Sequence, residues 1–184
     1  MHTTTRRRLA AVGLVAALAT PVAVSVATTS ATAATSAAPY CGITWGSPPK
    51  ATSPGNLWTG AVTGVRAGRH ACYDRLVFDV APGSGRLGYN VQYVDQLTGP
   101  GSGLPVPIGG GAKLQITVNA PSTVAATTRT FDDWRTFRQL KSLGSFEGYT
   151  DYGLGVRARL PMRVFVLTDT DGGRRLVIDV AHRW

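Results

Sequence analysis

The sequence predicts an all-β domain, a sandwich or a barrel. Three observations carry that reading. Short β-rich runs follow one another, separated by Gly, Pro, Asn and Asp clusters at the spacing such folds use. Several runs alternate strictly: Leu76, Phe78 and Val80 fall on one face, and Arg75, Val77 and Asp79 on the other. The composition agrees, because charged residues are only 16% of the 184, with Gly 22 and Pro 11, which suits neither a long-helix protein nor an acidic disordered one. The length fits one ordinary domain and excludes a large multi-domain enzyme.

The chain opens with an address. Arg6-Arg7-Arg8 forms a positive n-region, Leu9 to Ala19 an apolar h-region, and Ala31-Thr32-Ala33 an A-x-A cleavage site. Residues 1–33 therefore read as a secretory signal peptide, residues 34–60 as a linker and N-terminal extension, and 61–184 as the β domain. The protein is expected outside the cell, secreted or wall-associated, and no later run reaches the roughly 18 apolar residues of a membrane span. Cleavage leaves 151 residues with a net charge of +6, and 13 of their 16 basic residues are Arg. Such an excess suits an anionic neighbour, wall polymer or membrane surface; a coding bias toward Arg is the other reading. Nucleic acid is not expected as a partner, because the signal peptide sends the chain away from it and no recognition module is visible.

Cys41 and Cys72, with 30 residues between them, read as one disulfide in an exported chain. Closing that loop stabilises the fold by about 3–4 kcal/mol in the chain-entropy model. Two Cys without nearby His make a poor zinc site.

A linker-like SPPKATSPGN (47–56) precedes strands expected near 62–68, 73–80, 89–95, 113–119, 137–147, 153–160, 162–168 and 174–181. DTDGG (169–173) between two of them is a hairpin turn, since Asp and Gly tolerate the geometry required. The stretch 130–142, TFDDWRTFRQLKS, reads equally as a helical turn or as loop then strand. DRLVFDVAP (74–82) and RRLVIDVAH (174–182) share RLV-x-DVA, which fits a duplication, two equivalent strands of a pseudo-symmetric sandwich, or coincidence.

Catalytic patterns are sparse, and neither an enzyme nor a cofactor is expected. Gly83 to Gly88 matches G-x-G-x-x-G, but a strand-like run follows where a dinucleotide site needs a helix. Only His70 and His182 remain after cleavage, and neither H-E-x-x-H nor G-x-S-x-G occurs. Glu147 and Asp151 could act as a hydrolytic carboxylate pair, but read better as surface groups flanking a Gly turn. Asp169 and Asp171 resemble a calcium loop lacking its final glutamate. For binding, alternation in Val156–Leu160 places Arg157 and Arg159 on one strand face, with Arg163 close behind. Together they could grip carboxylate or phosphate, or form a solvated face whose stems cover apolar surface. Trp134, in the polar context FDDWRT, is the tryptophan expected to be exposed and to stack on a ligand.

Four segments resemble the AMIN-like domain of exported actinobacterial proteins and lipoproteins: YCGITWGS (40–47), VTGVRAGRHACYDRLVFDV (62–80), SFEGYTDYGLGVRARLPMRVFVL (145–167) and RRLVIDVAHRW (174–184). The resemblance implies a two-sheet β-sandwich acting as a non-catalytic envelope-binding module, with peptidoglycan, an anionic wall polymer or an envelope protein as partner. A module of another kind, a secreted inhibitor or protein-interaction domain, would use the Gly/Pro-rich loop 96–111.

Overall fold

The computed structural model describes residues 39–184, so the signal-peptide reading lies outside the described residues. Within them the fold is all-β, with no α-helix and one short 3-10 turn at Tyr40–Gly42. Twelve strands follow: β1 (Lys50–Ala51), β2 (Val62–Arg69), β3 (Tyr73–Val80), β4 (Gly88–Val94), β5 (Leu97–Thr98), β6 (Pro105–Val106), β7 (Ala112–Asn119), β8 (Thr128–Thr130), β9 (Phe137–Phe146), β10 (Tyr149–Val156), β11 (Met162–Thr168) and β12 (Arg174–Ala181).

They form a six-stranded sheet, β1-β4-β7-β10-β9-β8, and a four-stranded sheet, β11-β12-β3-β2, antiparallel throughout. Alternation decides which side chains meet between them. The four-stranded sheet contributes Leu76, Phe78, Leu176 and Ile178; the six-stranded sheet contributes Leu114, Ile116, Tyr152 and Leu154, all buried in one core. Phe78 and Tyr152 touch across it with ring centroids 4.8 Å apart.

The repeated RLV-x-DVA segments are neighbours. β3 and β12 pair antiparallel about Val77↔Val177, which sets Arg75 opposite Asp179 and Arg175 opposite Asp79. An Arg and an Asp four residues apart, placed symmetrically about that pair, stand opposite their complements on the other strand, and of the two pairs so formed Arg75 and Asp179 bond. The Arg75 guanidinium takes both Asp179 oxygens, at 2.7 and 2.9 Å.

Loop 96–111 is folded onto the protein. Its β5–β6 hairpin lies on the outer face of the six-stranded sheet, with Leu97 fully buried. Gly153 and Gly155 make room for it, because a Cβ at either position would collide with Leu97 or with the Gly109 backbone. Residues 47–56, expected as a linker-like run, hold β1, whose pairing with β4 lays that segment along the sheet edge. Stretch 130–142 is loop then strand, DTDGG is the β11–β12 turn, and the G-x-G-x-x-G run joins β3 to β4, with no helix opening there. Cys41 and Cys72 form the disulfide, tying the first described residues to the β2–β3 turn.

Two expectations are corrected. The strand placed at 153–160 is β10, which begins at Tyr149 and ends at Val156; residues 157–159 bend away to cross from one sheet to the other. Asp151 is also no surface carboxylate: it is buried on the hairpin-covered face, while Glu147 is exposed at the β9–β10 turn.

Candidate anion-binding end of the sandwich

At one end of the sandwich β2, β10 and β12 finish while β3, β9 and β11 begin, and a buried polar clamp closes it. Asp74 lies on the core face of β3 and is fully buried. Its Oδ2 accepts the backbone N–H of Thr136 at 2.7 Å and of Phe137 at 3.0 Å. Its Oδ1 stands 3.1 Å from Nε2 of His182. The Thr136 hydroxyl donates to Ala181 O at 3.2 Å. One carboxylate thus holds the start of β9 against the end of β12, with its charge met by N–H donors.

Arg157 leaves β10 directly over this clamp. Its backbone N–H donates to Thr136 O, its Nε to Arg135 O at 3.1 Å and one terminal nitrogen to His182 O at 2.7 Å. The guanidinium is held by neutral carbonyls rather than by a carboxylate. Arg135, Arg157, Arg183, Tyr40 and His182 line an open cleft of about 500 Å³. Arg183 lies 4.6 Å from the Tyr40 ring centroid. Tyr40 is itself placed by the neighbouring disulfide and by Trp45, whose indole N–H donates to Tyr40 O at 2.8 Å.

The other proposed binding residues lie elsewhere. Arg159 turns the opposite way from Arg157, to a cleft of about 260 Å³ beside Asp95 and Lys113, with its guanidinium 5.0 Å from the Tyr93 ring centroid. The Tyr93 hydroxyl donates to Leu160 O at 2.6 Å and accepts from Leu160 N–H at 3.0 Å. Burial pushes this phenol up to about 12. Arg163 stands on the outer face of the four-stranded sheet, bonded to buried Asp179 at 2.7 Å and surrounded by Trp45, Tyr73 and Phe165. Arg157, Arg159 and Arg163 therefore do not share one patch: the bend at 157–159 breaks the alternation, and Asp179 neutralises Arg163. Trp134 is half-buried and stacks on Phe137 at 5.8 Å and 7°.

Two groups of arginines differ in their partners. Arg66, Arg75, Arg163 and Arg175, on the outer face of the four-stranded sheet, are each bridged to an aspartate. Hydrogen bonding to Asp79 and to Asp179 raises the Arg66 and Arg75 pKa values further above their usual range. Among the described residues, Arg69, Arg129, Arg135, Arg157 and Arg183 have no acidic partner. Of this group the sequence reading found Arg157 alone. Arg135 adjoins Trp134 in FDDWRT and Arg183 follows the second echo segment, but nothing local to either brings them together.

The family model described as the AMIN-like domain matches residues 60–182, a span that holds Arg69 to His182 but stops short of Tyr40 and Arg183. No curated protein matches the chain, and no solved structure does.

Proposed function

The chain belongs to the AMIN-like domain family of non-catalytic, envelope-related modules, and on that premise we propose that it binds a wall component through the arginine-rich end of its sandwich. The ligand is peptidoglycan or an anionic polymer attached to it. In this reading residues 1–33 direct export and are removed, and the binding domain of 61–184 is completed by the extension before it, which supplies Tyr40 to the cleft and β1 to the sheet.

One observation carries the proposal. The outer sheet face bridges its four arginines to three aspartates, whereas among the described residues no carboxylate lines the cleft of Arg135, Arg157 and Arg183. Guanidinium groups without an acidic partner suit charge-assisted hydrogen bonds to an external anion.

The test is co-sedimentation with purified sacculi, intact and stripped of anionic polymers, across a salt series. Retention on either preparation, weakened by Arg135→Gln with Arg157→Gln and unchanged by Arg66→Gln, is expected. Absence of binding to both preparations at low salt rejects the wall-module reading.

A second reading rests on the 96–111 loop. Its tip leaves Leu104 67% exposed, and the ring of Phe146, which is 50% exposed, lies against Gly101 of the same loop. A protein-interaction module would use that apolar tip. A stoichiometric complex that survives high salt and is lost in Leu104→Asp supports this reading over the first.

A further inference from the structure

A second cationic position adjoins the cleft. Trp134 immediately precedes Arg135, so their Cα atoms stand about 3.8 Å apart. Arg69, from the end of β2, places its guanidinium 5.8 Å from the Trp134 ring centroid. Arg129, from β8, lies 5.9 Å from the same ring and 5.0 Å from that of Phe131. The indole is fixed by Phe137 and Phe131, so it serves as a fixed post against which two exposed guanidiniums rest. Neither Arg69 nor Arg129 is bridged to an acid among the described residues. Asp132 and Asp133, the acids nearest Arg129 in the chain, are exposed and pair with neither, and Asp74, opposite Arg69 on β3, is taken up by Thr136, Phe137 and His182.

The arrangement selects among anions. A carboxylate has two coplanar oxygens, which one guanidinium fork satisfies. The cleft instead is lined by arginines from three separate segments, at 135, 157 and 183. Phosphate oxygens point in tetrahedral directions and can accept from several such donors at once. A ligand that also reaches Arg69 and Arg129 must carry a further phosphate a short step along.

We propose that this end of the sandwich binds a linear polyanion with repeated phosphate groups, one seated among Arg135, Arg157 and Arg183 and the next beside Arg69 and Arg129. The proposal rests on the wall-binding reading above and names the ligand class of that same surface.

The experiment measures binding of the purified protein to orthophosphate, to linear inorganic polyphosphates of increasing length, to poly-glutamate of matched charge, and to phosphatidylglycerol vesicles. Affinity is expected to rise at least about tenfold from orthophosphate to chains spanning both positions, because the second contact becomes intramolecular. Arg69→Gln with Arg129→Gln should remove most of that gain and leave orthophosphate binding unchanged. Arg135→Gln with Arg183→Gln should abolish both. Circular dichroism melting curves confirm that each variant is folded, and Arg66→Gln, which removes a paired arginine, should change nothing.

Equal affinity for poly-glutamate overturns the proposal, as does a chain-length gain untouched by Arg69→Gln with Arg129→Gln. Binding to vesicles but to no free polyphosphate also overturns it and assigns the surface to a membrane. Sacculus retention alongside failure of every polyphosphate leaves the wall-binding reading standing and rejects the phosphate class alone.

Discussion

Asp74 joins three segments with one side chain. It is fully buried, yet its carboxylate meets the Thr136 and Phe137 N–H groups and His182, so burial leaves no uncompensated charge. Asp74→Ala orphans two buried N–H donors and is expected to cost about 3–5 kcal/mol, read as a lower urea midpoint at unchanged slope. Asp151 is the opposite case. Burial pushes its carboxyl up from 3.8, partly offset by the Thr117 hydroxyl, and Oδ1 has no hydrogen-bond partner among the described residues. The folded state therefore holds its proton more tightly than the unfolded chain does. The associated stability is present below 3.8 and is lost as pH rises through the raised folded value. Asp151→Asn should therefore gain on the wild type as pH rises from 3.8 through the raised folded value, and level off above it. A stability difference that is flat from pH 3 to pH 8 would refute this account.

Strand pairing explains what the repeated RLV-x-DVA segments do. Centred on Val77↔Val177, they place charge opposite complementary charge, and Asp179 becomes the shared acceptor of Arg75 and Arg163. Asp179 is fully buried, so Asp179→Ala should cost about 3–5 kcal/mol by leaving two guanidiniums uncompensated. Asp79 sits in register with Arg175 but bonds Arg66, whose side chain is 60% exposed. Asp79→Ala should cost under about 1 kcal/mol, because water screens that pair. Chemical denaturation of the two variants side by side checks the contrast. On the other sheet, Gly155 gives the β5–β6 hairpin its seat. Gly155→Ala should destabilise by about 1–3 kcal/mol, as overpacking does, and speed amide exchange across 97–111.

The disulfide matters to the molecule beyond its cross-link. It holds Tyr40 at the cleft and lays the segment around Trp45 and Gly46 against the start of β11, where Gly46 bridges Met162. Cys41→Ser with Cys72→Ser should lower stability by about 3–4 kcal/mol and weaken anion binding together, because Tyr40 loses its anchor. Thermal unfolding and the polyphosphate titration measure the two effects on the same sample. Charge is also divided across the molecule: aspartate-bridged arginines cover one sheet face, and five without acidic partners among the described residues, Arg69, Arg129, Arg135, Arg157 and Arg183, meet at one end. Overall composition shows the excess but not this division.

Period-two alternation placed β3, β11 and β12, because each strand alternates core and outer residues and turn residues close its ends. The Cys pair was legible because only two cysteines exist. The short strands β1, β5, β6 and β8 were not, since runs of two or three residues have no period to read. Loop 96–111 was equally opaque: its place on the sheet depends on missing side chains at Gly153 and Gly155, some fifty residues away. The candidate site was legible at Arg157 alone, and its company was misread because alternation was extended past Val156 into a crossing. Local pattern and turn chemistry thus account for the strands, the turns and the all-β class, since neighbours in the chain set them. The meeting of Arg69, Arg129, Arg135, Arg157 and Arg183 was decided by register, by the crossing between sheets and by the Asp74 clamp, all of which act between residues far apart in the chain.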